Sequence, residues 1–165
     1  MRTPLDRFLV LVAASGLFLP RPAAPADPLA CAGRLAGAVQ GTFGCEVRVT
    51  AGDEGKVTFT LAARDAIDGV PTYQPGSFEL PGPPVARTYT LDDLGLGIAS
   101  VAREGGALFT AARTSGRRGE VTLVLRSVKP APGVPGAWIV HGTYRARLLP
   151  AGAGRTGDVT VDASF

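Results

Sequence analysis

The chain has few of the residues that most often carry out chemistry in proteins. Its 165 residues include one histidine, two cysteines, one methionine and one tryptophan. A zinc site usually draws its ligands from several cysteine and histidine side chains, so the composition argues against one. A nucleophilic triad would have to use His141, and no G-x-S-x-G motif supplies a serine partner. The sequence therefore predicts no catalytic residue, no metal ligand and no cofactor.

Glycine and proline are plentiful instead, and together they account for 36 of the 165 residues, which implies many turns. Apolar residues make up 45% and charged residues 19%, as in an ordinary globular chain. Residues 27–112 carry a net charge of −4 and residues 113–165 a net charge of +5. The basic part indicates either solvated strand faces or a face turned toward an anionic surface. The net charge of residues 27–165 is only +1, which does not indicate nucleic-acid binding.

The first 26 residues have the three parts of a secretory signal peptide. Residues 1–7 are basic, residues 8–19 are uniformly apolar or small, and Ala24-Pro25-Ala26 forms a small-x-small cleavage site. The apolar run is too short to span a bilayer as a helix. We therefore predict a signal peptide at residues 1–26 and a single β-sandwich domain at residues 27–165. The mature protein is expected to be exported, without a membrane span, to the periplasm, the outer-membrane surface or the extracellular space.

Alternation of apolar and polar residues dominates the rest of the chain and predicts half-buried strands. The alternating runs are residues 43–49, 56–63, 77–80, 85–91, 97–103, 107–113, 120–128, 138–149 and 157–165. The prolines after residue 70 fall between these runs, which is expected because proline cannot donate to a strand ladder. No window of ten or more residues has a helical period of apolar residues. The expected fold is all-β, an antiparallel β-sandwich or flattened barrel of eight to nine short strands.

The two cysteines, Cys31 and Cys45, are 14 positions apart and would pair in an oxidising compartment. The odd positions from Leu35 to Val49 nevertheless stay in one apolar phase, as if a single strand ran through both cysteines. Such a strand would separate the sulfurs by roughly 46 Å, far beyond the reach of a disulfide. Either the chain doubles back near Gly37 or Gly41, or there is no bridge. We predict the bridge. The alternative is that Cys31 carries a lipid anchor. It lies too far after the apolar leader to be a typical lipid-anchor cysteine.

Several side chains are candidates for surface contacts. His141, Arg145 and Arg147 share the polar face of the strand at residues 138–149, and Tyr73 lies in a long loop at residues 64–76. Trp138 is in phase with the apolar side of its strand and is expected to plug one end of the core. The carboxylate pairs all fall in predicted loops, where turn chemistry explains them as well as catalysis does. These pairs are Asp53-Glu54, Asp65 with Asp68, and Asp92-Asp93.

The end of the chain resembles a known group of proteins. His141-Gly142-Thr143-Tyr144-Arg145-Ala146-Arg147-Leu148, followed by a polar loop and then Val159, Val161 and Phe165, is similar to the closing segment of small uncharacterised exported β-sandwich proteins and lipoproteins of Gram-negative bacteria. The resemblance covers residues 141–165. It implies a fold and a compartment, and it carries no catalytic residues.

Three functions are compatible with these features. The first is an exported, non-enzymatic β-sandwich that binds or scaffolds a component of the envelope, with an envelope protein or an anionic polysaccharide as partner. The second is a small outer-membrane β-barrel, because Phe165 ends a run of alternating apolar residues. Against it, membrane strands need about 9–11 residues and flanking aromatic girdles, and aromatic residues are only 7% of the chain. The third is a hydrolase that uses loop carboxylates or His141. We favour the first.

We predict that the exported protein begins at Asp27, because cleavage after Ala26 matches the small-x-small rule. Intact-mass measurement of protein recovered from the envelope or the medium checks this. A mass that retains residues 1–26 would contradict cleavage, and a diacylglyceryl group on Cys31 would indicate the lipoprotein route.

Overall fold

The computed structural model describes residues 29–165 except residues 65, 68–69, 71, 104, 106, 115–117 and 153–155. The predicted signal peptide lies outside the described residues. The described part contains one 3-10 turn, Asp53–Gly55, and ten strands. The strands are β1 (Leu29–Gly37), β2 (Gly41–Ala51), β3 (Val57–Ala63), β4 (Thr72–Leu80), β5 (Thr88–Thr90), β6 (Gly97–Arg103), β7 (Ala107–Ala111), β8 (Glu120–Pro130), β9 (Ala137–Pro150) and β10 (Val159–Ser164).

The ten strands form one antiparallel sheet in the order β10-β1-β2-β3-β4-β6-β7-β9-β8-β5. A further pairing between β10 and β9 closes eight of these strands into a barrel, and β8 and β5 extend from β9. The prediction of an all-β antiparallel sandwich or flattened barrel is therefore confirmed. The described part has ten strands, one more than the nine alternating runs of the sequence. The additional strand is β1, whose apolar phase continues without a break into β2.

A single apolar core fills the space between the inner faces of the strands. In β10, Val159, Val161 and Ala163 are buried, as their shared phase predicts. Phe165 follows in the same phase and is half-buried, with its ring centroid 5.9 Å from that of Phe59. Chain ends often fray. The last strand is instead held by the packing of these side chains against the core.

The hairpin of β1 and β2 resolves the conflict over the cysteines. Gly37, whose φ of 100° suits glycine, begins a tight reversal that places Leu35 opposite Gly41. Because the strands are antiparallel, this register sets Cys31 directly opposite Cys45 with 4.8 Å between their Cα atoms, and the two form a disulfide. The chain doubles back as the prediction required. A disulfide is compatible with an exported protein.

Three prolines lie inside strands, which corrects the expectation that all of them fall between strands. Pro130 and Pro150 are the last residues of β8 and β9. Pro75 lies within β4, at a bulge where the register with β6 shifts between Gln74 and Ser77. A bulge leaves a residue unpaired, so proline loses no ladder hydrogen bond there. Strand β4 consequently begins five residues before the predicted run.

Tyr73 is therefore part of β4 and not of a loop at residues 64–76. The run at residues 85–91 also differs from the prediction, because only Thr88–Thr90 pairs as β5. Val85 is exposed, and its backbone N–H and carbonyl bond the hydroxyl of Tyr89 at 3.0 and 3.1 Å. The Tyr89 hydroxyl thus supplies the hydrogen bonds that a neighbouring strand would otherwise give to the backbone of Val85.

We predict that Phe165→Ala lowers the free energy of unfolding by about 1.5–3 kcal/mol, because a half-buried ring loses its packing against the core. Ser164→Ala, one residue earlier and exposed, is the control and should change stability by less than about 0.5 kcal/mol. Urea denaturation of both variants measures the difference. Equal small shifts in midpoint would mean that the end of β10 is frayed.

We predict that the disulfide stabilises the fold by about 3 kcal/mol, the value expected for a closed loop of this length. Adding a thiol reductant should lower the urea midpoint of the native protein by the corresponding amount. The double variant Cys31→Ala/Cys45→Ala provides the control, since its midpoint should not respond to the reductant. A native midpoint that is equally insensitive would show that the two thiols are free.

Candidate functional site

The side chains that face solvent from the neighbouring strands β1, β10, β9 and β8 form one continuous surface, which we call the outer face. The strand register aligns four residues across it, one per strand: Arg34 opposite Asp162, Asp162 opposite Arg145, and Arg145 opposite Thr122. Directly opposed side chains in an antiparallel sheet lie about 5 Å apart. These four residues therefore form one row, called here the arginine row.

Asp162 holds the arginine row together. Its Oδ1 accepts a hydrogen bond from Arg145 Nε at 2.6 Å, and its Oδ2 lies 4.0 Å from Arg34 Nη2. The carboxylate is 28% exposed, whereas the side chains of Arg34 and Arg145 are 67% and 72% exposed. One partly covered acid thus positions two guanidinium groups that remain open to solvent.

A first depression of about 660 Å³ lies on one side of the arginine row. Its floor is a second row of short side chains, again one from each strand: Ala32, Ser164, Thr143 and Val124. Long side chains on the neighbouring row stand beside this floor of short ones, and the difference in length creates the depression.

A second depression of about 420 Å³ lies on the other side of the arginine row. It is lined by a third row across the same strands: Ala36, Thr160, Arg147 and Glu120. Arg147 Nε donates to Asp158 Oδ2 at 2.5 Å, and its Nη1 lies 3.7 Å from Glu120. The hydrogen bond that Arg147 donates to Asp158, together with the negative charge of Asp158, raises the pKa of the Arg147 guanidinium. The second depression therefore has more ionic pairing than the first.

Tyr144 anchors the floor of the first depression from the core side. Its ring is stacked on Phe59 with centroids 6.1 Å apart, and its hydroxyl donates to the Pro75 carbonyl at 2.7 Å. The hydroxyl passes directly over Gly76, where any Cβ would collide with it. Burial raises the pKa of this hydroxyl above that of a free tyrosine. Tyr144 thus joins β9 to the bulge of β4 across the barrel.

The structure brings together only part of the predicted contact residues. Arg145 and Arg147 both face solvent and line the depressions, as their phase predicts. His141 is exposed on the same face of β9, opposite Ser127, but it does not line either depression. Tyr73 is half-buried on β4, with its ring 5.5 Å from that of Phe43. Trp138 packs half-buried against the core, as expected.

Four further residues of the outer face have no distinguishing signal in the sequence. Arg34 stands alone among small residues, and Asp158, Asp162 and Glu120 look like ordinary solvated strand positions. Their even–odd phase predicts that they face solvent. Asp158 and Glu120 reach Arg147 through the pairing of the consecutive strands β8, β9 and β10. Arg34 reaches Asp162 only because β1 pairs with β10, and no local pattern encodes that pairing.

The carboxylates in loops take part in surface and turn contacts. Asp92 forms an ion pair with Arg118, and Glu54 one with Lys56. Asp93 accepts hydrogen bonds from the backbone N–H and the hydroxyl of Thr90, and these bonds lower its pKa. Asp65 and Asp68 lie outside the described residues. In the described part of the chain, no three histidine, cysteine or acidic side chains are grouped as metal ligands.

No protein-family model, no curated protein and no solved structure matches this chain. The resemblance of residues 141–165 to exported β-sandwich proteins and lipoproteins stays a prediction. Over the described ranges, no helix has the length and apolar character needed to cross a membrane.

Proposed function

We propose that the protein is an exported, non-enzymatic binding protein of the bacterial envelope, and that its outer face holds the ligand. The observation that carries the proposal is the pair of adjoining depressions on either side of the arginine row. Guanidinium groups that are positioned by a carboxylate and still exposed to solvent are suited to binding anionic groups.

The arrangement of polar groups supports binding over hydrolysis. His141 is four residues from Arg145 along β9, which separates their Cα atoms by roughly 13 Å. The residue directly opposite His141 across the sheet is Ser127, which is half-buried, and His141 itself is exposed. General acid–base catalysis needs groups within hydrogen-bond reach of one reacting atom. Of the loop carboxylates, Asp93 already bonds its own turn, and Asp92 and Glu54 pair with neighbouring cations.

The distribution of side chains also supports a water-exposed barrel over a membrane barrel. The inward residues of the barrel are apolar and packed together. The outward residues at the middle of β1, β9 and β10 include Arg34, Arg145 and Asp162. Outer-membrane barrels have the opposite arrangement, and an outward arginine near the bilayer centre costs about 2–4 kcal/mol.

Export rests on the predicted signal peptide and on the Cys31–Cys45 disulfide. A bridge between two neighbouring strands persists in oxidising compartments and is rare in the cytosol. The periplasm, the outer-membrane surface and the extracellular space all satisfy this condition.

The proposal predicts that filling the first depression abolishes binding. Thr143 lies half-buried on its floor, so Thr143→Tyr should place a ring where the ligand lies. Tyrosine is well tolerated in strands, and Thr60→Tyr on the outward side of β3 is a matched control. The measurement is co-sedimentation of the mature protein with isolated cell envelopes, alongside a thermal melt that confirms folding. The native protein and Thr60→Tyr should sediment, and Thr143→Tyr should stay in the supernatant.

Sedimentation of folded Thr143→Tyr at the native level would refute the outer face as the binding surface. Failure of the native protein itself to associate with envelopes would refute an envelope-binding role.

A further inference from the structure

We infer that the ligand of the outer face is a linear acidic polysaccharide that lies across the strands in the first depression, with successive carboxylates bound by Arg145 and Arg34. This inference rests on the proposed function and deepens it by naming the ligand class.

The spacing of the two arginines favours an extended ligand. Arg34 is on β1 and Arg145 on β9, with β10 between them. Two strand spacings separate the two positions by about 10 Å, and the whole depression crosses four strands over about 14 Å. A single small anion contacts one guanidinium at this distance, whereas a polymer with repeated acidic groups contacts both.

The floor of the depression matches the surface of a sugar chain. Ser164 and Thr143 offer hydroxyls that both donate and accept hydrogen bonds. Ala32 and Val124 offer short apolar contacts at the two ends of the same row. A polysaccharide presents the same mixture, since its rings carry hydroxyls along their edges and C–H groups on their faces.

A protein partner fits this face less well. Besides arginine, protein interfaces usually need large aromatic or aliphatic anchors seated in pockets. The large apolar side chains that are exposed in the described structure are Val85, Leu96, Ile98 and Leu108. All four lie outside β1, β8, β9 and β10, so the outer face lacks anchors of this kind.

The charge of the outer face is complementary to an acidic chain. The four strands, with the residue pair that leads into β10, carry five basic and three acidic side chains. These are Arg34, Arg126, Lys129, Arg145 and Arg147 against Glu120, Asp158 and Asp162. Of the charged residues among them, Arg34, Arg145 and Asp162 line the first depression, which gives its lining a net charge of +1.

Isothermal titration of the mature protein with oligogalacturonates of increasing length, and with neutral malto-oligosaccharides of equal lengths, tests the inference. Acidic oligomers should bind, with an affinity that rises with length until both arginines are occupied. Arg145→Gln and Arg34→Gln should each weaken binding by about tenfold or more, because each removes a charged hydrogen bond. Arg48→Gln, an exposed arginine of β2 away from the depression, is the matched control and should leave binding unchanged.

The variant Asp162→Asn tests whether the ligand is acidic or neutral. Asparagine keeps an oxygen that can accept from Arg145 Nε but removes a negative charge beside the ligand. For an acidic polysaccharide the variant should bind about twofold or more tightly, and added salt should reduce the gain. For a neutral sugar, the same change removes a strong acceptor and should weaken binding.

Three results would overturn the inference. Equal binding of neutral and acidic oligomers would show that charge does not select the ligand. An affinity that does not depend on length would show that the chain does not span the two arginines. Absence of oligosaccharide binding, with envelope binding still lost in Thr143→Tyr, would point to a protein ligand and leave the proposed function intact. The proposed function itself fails if the native protein does not associate with envelopes or if Thr143→Tyr binds them normally.

Discussion

The fold depends on the pairing of strand β9 with four other strands. Its 14 residues bond β8 along most of one edge and β10 along the other, and its two ends meet β2 and β7. A strand that joins so many neighbours closes the barrel and leaves few unpaired backbone groups at a sheet edge. Tyr144, at the middle of β9, fastens the same strand to β4 through the core. Removal of these contacts would open the sheet at the point where its two ends meet.

The outer face is a direct consequence of this closure. Strand β10 lies between β9 and β1, so the last strand of the chain separates Arg145 from Arg34. Asp162 in β10 can then bond guanidinium groups on both sides. Exposed ion pairs of this kind contribute little to stability, typically less than about 1 kcal/mol. Their effect here is to set the positions of side chains, which matters more for binding than for folding.

Much of the local structure follows from residue patterns alone. The period-two alternation predicts the hairpins of β2 with β3 and of β6 with β7, and the inward phase of β10. The predicted strand boundaries are wrong at two places where proline or an apolar alternation is accommodated in an unusual way. Pro75 is accommodated by a bulge, and the uninterrupted phase of β1 and β2 conceals the turn that begins at Gly37. At the candidate site, the alternation correctly predicts that Arg145 and Arg147 face solvent. It does not reveal which residues of the neighbouring strands lie opposite them.

The sequence by itself determined that the chain is built of strands, which side of most strands is buried, and that the two cysteines can pair only if the chain reverses between them. These properties are local, because side chains alternate with period two along any strand. Only the tertiary structure decided which strands are neighbours. That choice depends on closing a sheet between segments more than a hundred residues apart, such as β1 and β10. The arginine row and both depressions are completed by that long-range pairing, because it adds the residues of β1 to those of the consecutive strands β8, β9 and β10.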